Sequence, residues 1–390
     1  MILGSMPILA APPCPNPVDV SVVGTCSLTS SMSGFFVSSS GTISGGGGTG
    51  VTATGVSLSG SFSNTGTILG NDAINLTNTT ISGSLVNSGS VGGSEYGLRI
   101  VGLSASGITN SGRLTSSHVA LQGTGITLSG GILNAASGTI SGTNLGLYIN
   151  PWSNVQGIDN EGTINGNVRG GMFIEGSPTV KAILNSGLIQ GGDFGISAGG
   201  IYSPIPHIAE GISNVGTIKG TGHSLDLNNT NSFSIYNSGT LIGNANIGNN
   251  RLVIQGASSQ IAGNVTGTAN SIVEIATGSV FTNSGGLFNV GTFILDSGVS
   301  FSPVDSVTAS LAVTNNGTIG SFALISTPAI YNSGTILSNV DLGGNKLVIQ
   351  GASSQIIGNV TGTSDSVVEI ASGSAFTNSG IVFNVGTFSV

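Results

Sequence analysis

A five-residue pattern, Asn-x-Gly-x-(Ile/Leu/Val), returns along this chain too regularly for an ordinary globule. It stands as NTGTI at 64, NSGSV at 87, NSGRL at 110, NEGTI at 160, NSGLI at 185, NVGTI at 214 and NSGTL at 237, with a degenerate ASGTI at 136. Taken in order along the chain, successive starts differ by 23, 23, 26, 24, 25, 29 and 23, and the pattern returns at 283, 315, 332 and 378. A longer duplication overlies it: residues 251–295 recur as 346–390. Within it, LVIQGASSQIAGNVTGT from Leu252 and LVIQGASSQIIGNVTGT from Leu347 differ only at Ala262 and Ile357. The offset, 346 minus 251 or 95, is close to four units of 23–25. Such a period marks a supersecondary unit that buries its apolar side only by stacking on its neighbours.

Inside a unit the apolar residues alternate in short bursts, which is a strand period. SVGG, GLRI and GITN occupy one unit, GTINGNV, GMFI and AILN another, and GLIQGG, FGIS and GISN a third. Gly, Asn and Ser, which tolerate left-handed turns, separate them. The expected fold is all-β, a parallel β-helix (β-solenoid) with three short strands per coil of about 23–25 residues. Each strand pairs with its equivalent one coil away, giving roughly sixteen coils about 4.8 Å apart. Inward Ile, Leu and Val stack like on like, and the motif Asn forms a side-chain amide ladder at a turn. The expected organisation is a signal remnant and cap over residues 1–38, coils over 39–240, and coils carrying the duplication over 241–390.

The composition agrees with this. Only 6% of residues are charged, against about 25% in a typical soluble domain, because like charges one coil apart would face each other. With 38% apolar residues and a mean hydropathy of +0.38, the chain is not of the disordered class. The net charge of −8 comes from 15 acids and 7 bases scattered singly. That excludes nucleic acid as a partner, since phosphate binding needs clustered Lys and Arg. No apolar run is long enough for a membrane-spanning helix. MILGSMPILAAPPC reads as a secretory signal lacking a basic n-region, or as an apolar cap strand. Cys14 and Cys26 are expected to form a disulfide, worth about 3 kcal/mol in the chain-entropy model; two buried free thiols are the alternative.

At NSGTI, NEGTI and NVGTI the chain resembles a bacterial autotransporter passenger domain, and it is similar in style to filamentous-haemagglutinin-type exoproteins. The resemblance covers residues 39 to 390 and implies a right-handed helix, secretion or display at the outer membrane, and adhesion, virulence-type contact or self-association. It implies as partner a surface glycan or protein of a host or neighbouring cell, or another copy. The membrane barrel of that family is not written in these residues, so membrane contact is expected only through a barrel outside this chain. A carbohydrate-active β-helix enzyme and a fibre-forming structural subunit are the alternatives.

Candidate site residues follow from the stacking. Glu95 and His118 are one motif step apart, each just before a strand, and form a candidate polar column with a spacing of about 4.8 Å. Asp72 lies one further step back but one position out of register, and outward solvated charges explain all three equally. Asp159, Glu161, Asp193, Glu210 and Asp226 fall at different registers and form no single cluster. No catalytic residue, metal site or cofactor is expected, since the histidines lack ligand spacing and no nucleophilic pair stands out. The segments between the second and third strands are expected to stack into a ridge, as insertions in repeat proteins do. The two bulkiest carry Trp152, and Tyr202 with His207, as candidate binding residues; the plainer role for those aromatics is to cover the apolar rim of a coil.

Overall fold

The computed structural model describes residues 14–390 apart from 200–204, 229, 284–286, 303–305 and 321–324. The apolar stretch expected to be a signal remnant lies outside the described residues up to position 13. The described residues contain no helix; they form parallel strands stacked in about 15 coils, a β-solenoid. The chain divides into two compact units, Met1–Val168 and Arg169–Val390.

In the first unit the motif's apolar residues stack in one column: Ile43, Ile68, Val91, Leu114, Ile140 and Ile164 are register partners in successive coils. None exceeds 2% exposure. Val51, Ile74, Leu98, Leu121 and Leu147 make a second column, and Phe62, Leu85, Ile108, Ile132 and Ile158 a third. Full burial of each such side chain contributes about 1.5–3 kcal/mol. The solenoid begins earlier than position 39, because Ser21–Val23, Cys26–Leu28 and Phe35–Val37 pair with strands of the next coil. A segment expected to be a ridge loop also belongs to the ladder. Ser104, Thr127 and Asn154 are in register, and Ala105, Leu128 and Val155 point inward beside them. A coil such as 113–134 therefore carries four strands, Arg113–Ser116, Val119–Thr124, Thr127–Leu128 and Ile132–Asn134.

The motif's two fixed residues have separate jobs. The Asn side chains are buried and form an amide ladder: Asn64 donates to Asn87, Asn87 to Asn110, Asn110 to Asn134 and Asn134 to Asn160, each at 2.8 Å. The degenerate copy at 136 is no gap in it. Its amide comes from Asn134, with two extra residues before the motif glycine, Gly138. The motif Gly is set by close approach. A Cβ on Gly89 would collide with the Gly66 carbonyl, and one on Gly112 with the Gly89 carbonyl.

In the second unit Ile189, Ile218, Leu241 and Ile261 continue the inward pattern. The coils then shorten. The register runs Asn237, Ile254, Ile275, Leu295, Asn315, Asn332, Ile349 and Ile370, so the numbering advances by only 17 to 21 per coil. The two copies of the duplication thus lie five coils apart, not four: Leu252, Val273, Phe293, Val313, Ile330 and Leu347 are successive partners. Counting motifs missed coils in which Ile or Leu fills the Asn position. Asn283 and Asn378 stand elsewhere, opposite Ile261 and Ile356. Ala262 is half-buried and Ile357 is 50% exposed, so the one change in the long identity falls on the outer face.

Each amide ladder needs an end. Asn237 donates to Ser259 at 2.8 Å and Asn332 to Ser354 at 2.6 Å, equivalent residues of the two copies. At the other end Asn315 stands on Leu295, and its buried Oδ1 has no hydrogen-bond partner among the described residues.

Candidate functional site

A recess lies in the second unit, on the outer face of the strands Gly170–Ile174, Phe194–Ala198 and Thr217–Asp226. Met172, Ile196 and Leu225 are inward partners, so the next residues, Phe173, Ser197 and Asp226, stack on the outside. Two positions further along come Glu175, Gly199 and Asn228. These residues, with Arg169, Asp193 and Phe194, line a recess of about 640 Å³.

The floor is aromatic. The Phe173 and Phe194 ring centroids are 5.7 Å apart with planes tilted by 45°, and the Arg169 guanidinium carbon lies 4.4 Å from the Phe173 ring centroid. The rim is acidic. Asn228 donates to Asp226 Oδ1 at 2.8 Å, and Asn246 donates to Asn228 at 2.5 Å. Burial raises the Asp226 carboxyl above its ordinary pKa, the His223 charge opposes this, and the Asp193 charge adds to it. Asp193 and Asp226 therefore do share a site, although a long coil separates them in sequence. Aligning GMFIE, FGISA and HSLDL on their inward residues, across steps of 24 and 29, is the sequence signal that finds it.

Glu95 and His118 are both exposed and are not joined by a hydrogen bond or ion pair. Glu95 accepts from Asn71 at 3.4 Å, and His118 meets the Tyr96 ring edge-on at 5.9 Å. Asp72 is not solvated as expected. It is 7% exposed, opposite Tyr96, accepts from Asn75 at 2.8 Å and lies 3.7 Å from Arg99. A register shift between Gly93 and Tyr96 puts it there. Among the described residues no group of three His, Cys, Asp or Glu could hold a metal ion. Cys14 and Cys26 are joined by a disulfide.

Trp152 lies in the first unit and is 79% exposed, so it does not cover a coil rim. It stands in a column of turns: Gly55, Asn78, Gly102 and Gly125 each donate an N–H to the carbonyl of Thr77, Val101, Thr124 and Pro151, the residue before the next member. All have positive φ, 64°, 48°, 66° and 59°, and Trp152 closes the column at 61°. Glycine and Asn adopt that conformation readily; for Trp it costs about 1–2 kcal/mol. His207 is exposed at the start of His207–Asn214, in the second unit. Tyr202 lies outside the described residues.

Comparison with known proteins finds no match to this chain, whether among family models, curated proteins or solved structures.

Proposed function

We propose that this protein is a secreted or bacterial surface solenoid of the autotransporter-passenger kind, and that it works by contact, in adhesion or self-association. One observation carries the reading: the single Trp is held almost fully exposed at a turn position that elsewhere takes Gly or Asn. A backbone outlier kept at a cost points towards use, and Trp offers large contact area with few rotors to freeze. The Cys14–Cys26 disulfide suits an oxidising compartment. Repeated coils suit multivalent attachment, in which weak contacts add through effective concentration.

The test is attachment of the purified protein to cell-coated and protein-coated surfaces, and to immobilised copies of itself. Trp152→Ala is expected to lower attachment while leaving the melting curve close to that of the parent. Equal attachment by the folded variant overturns the reading.

A further inference from the structure

Ser197 is 7% exposed, and its hydroxyl makes no hydrogen bond among the described residues although it lines the recess on the second unit. That hydroxyl is free to accept from a ligand, and it shares the recess with Asp193, Asp226 and the aromatic floor. We infer that the recess binds an organic ammonium group, carried by a polyamine or by a lysine side chain of another protein.

The chemistry matches donor for acceptor. An alkylammonium has three N–H donors and no acceptor; the Asp193 and Asp226 carboxylates and the Ser197 hydroxyl oxygen in the lining are acceptors. Two acids, Asp193 and Asp226, face one base, Arg169, so the recess carries excess negative charge. Arg169 already rests on Phe173, which shows that the floor tolerates a cation, as aromatic faces do. The half-buried Asp226 carboxylate gains most from an incoming positive charge. A polyanion meets repulsion here. The assignment does not depend on the adhesion reading, and either can fail alone.

The experiment is calorimetric titration of the full chain with spermidine, with the peptide acetyl-Gly-Lys-Gly-amide, and with maltose and sulfate as neutral and anionic controls. At least one ammonium probe is expected to bind and neither control to do so; the tighter of the two probes assigns the source. Combining Asp193→Asn with Asp226→Asn is expected to weaken binding by about tenfold or more. Ser197→Ala, which leaves the charge unchanged, is expected to weaken it by about threefold or more. Circular-dichroism melting checks that both variants fold. Absence of ammonium binding, ammonium binding that survives both variants, or preference for maltose overturns the assignment.

Discussion

Asn87 Nδ2 donates to Asn110 Oδ1 at 2.8 Å and, with its other hydrogen, to the Arg113 carbonyl at 3.1 Å. Both acceptors lie one coil along the axis. Every interior amide of the ladder is thus held on both sides, and its members resist replacement unequally. Asn110→Ala strips Asn87 of its amide acceptor and Asn134 of its amide donor, so two buried groups lose partners at about 1–3 kcal/mol each. Asn315→Ala strands only Asn332, because the Asn315 oxygen is already unpaired. Urea unfolding of the two variants should show the larger loss for Asn110→Ala.

Two glycines of the first unit separate the reasons for being glycine. Gly46 has φ of 62° and open space where a Cβ would go. Gly46→Ala therefore costs only the left-handed backbone, about 1 kcal/mol. Gly89 has no left-handed backbone, but its Cβ would run into the Gly66 carbonyl of the previous coil. Gly89→Ala must push two coils apart and costs about 3 kcal/mol or more. Thermal melts of the pair distinguish the two mechanisms by size.

Trp152→Gly should do what Trp152→Ala does not. Glycine relieves the strain at φ of 61°, so the variant is expected to melt above the parent, by about 1 kcal/mol of added stability. Alanine keeps most of that strain. A Gly variant no more stable than the Ala variant would mean that the turn is unstrained, and the case for a retained functional Trp would lose its physical basis.

The coil stack was legible in the sequence because its driving pattern is local. An inward Ile two residues after a motif Gly, as at Ile68 or Ile218, announces both strand and face. The ladder was legible for the same reason, except at Asn134, where two inserted residues moved the amide away from the pattern. The short coils after Asn237 were not legible. Ile254, Ile275 and Leu295 fill the Asn column with hydrocarbon, so a search keyed on Asn sees two units where several coils stand. The recess was hidden by unequal steps: Asp226 stacks on Ser197 with a step of 29, and Phe173 lies under Ser197 with a step of 24. A fixed period scatters those residues that inward alignment gathers.

Asp226 offers a check of the recess that needs no ligand. Burial raises its pKa above the reference value of 3.8, against the opposing charge of His223 and with the help of Asp193. The sign follows from linkage. A carboxyl whose folded pKa exceeds its unfolded pKa binds its proton more tightly when folded. It therefore favours the fold where both states are protonated, below the unfolded value, and that advantage is lost as pH rises through the folded value. At neutral pH the ionised side chain is a net burden on the folded state. Asp226→Asn removes the ionisation and keeps the shape, and its amide oxygen can still accept from Asn228. The variant is expected to melt at or above the parent at neutral pH, and the difference should shrink as pH falls towards 3.8. Glu175 and Asp193 are present in both proteins, so the comparison isolates Asp226. A variant that melts lower at neutral pH, with the gap closing in acid, would show that the carboxylate is stabilised in place, and would mean that the recess already holds its own counter-charge.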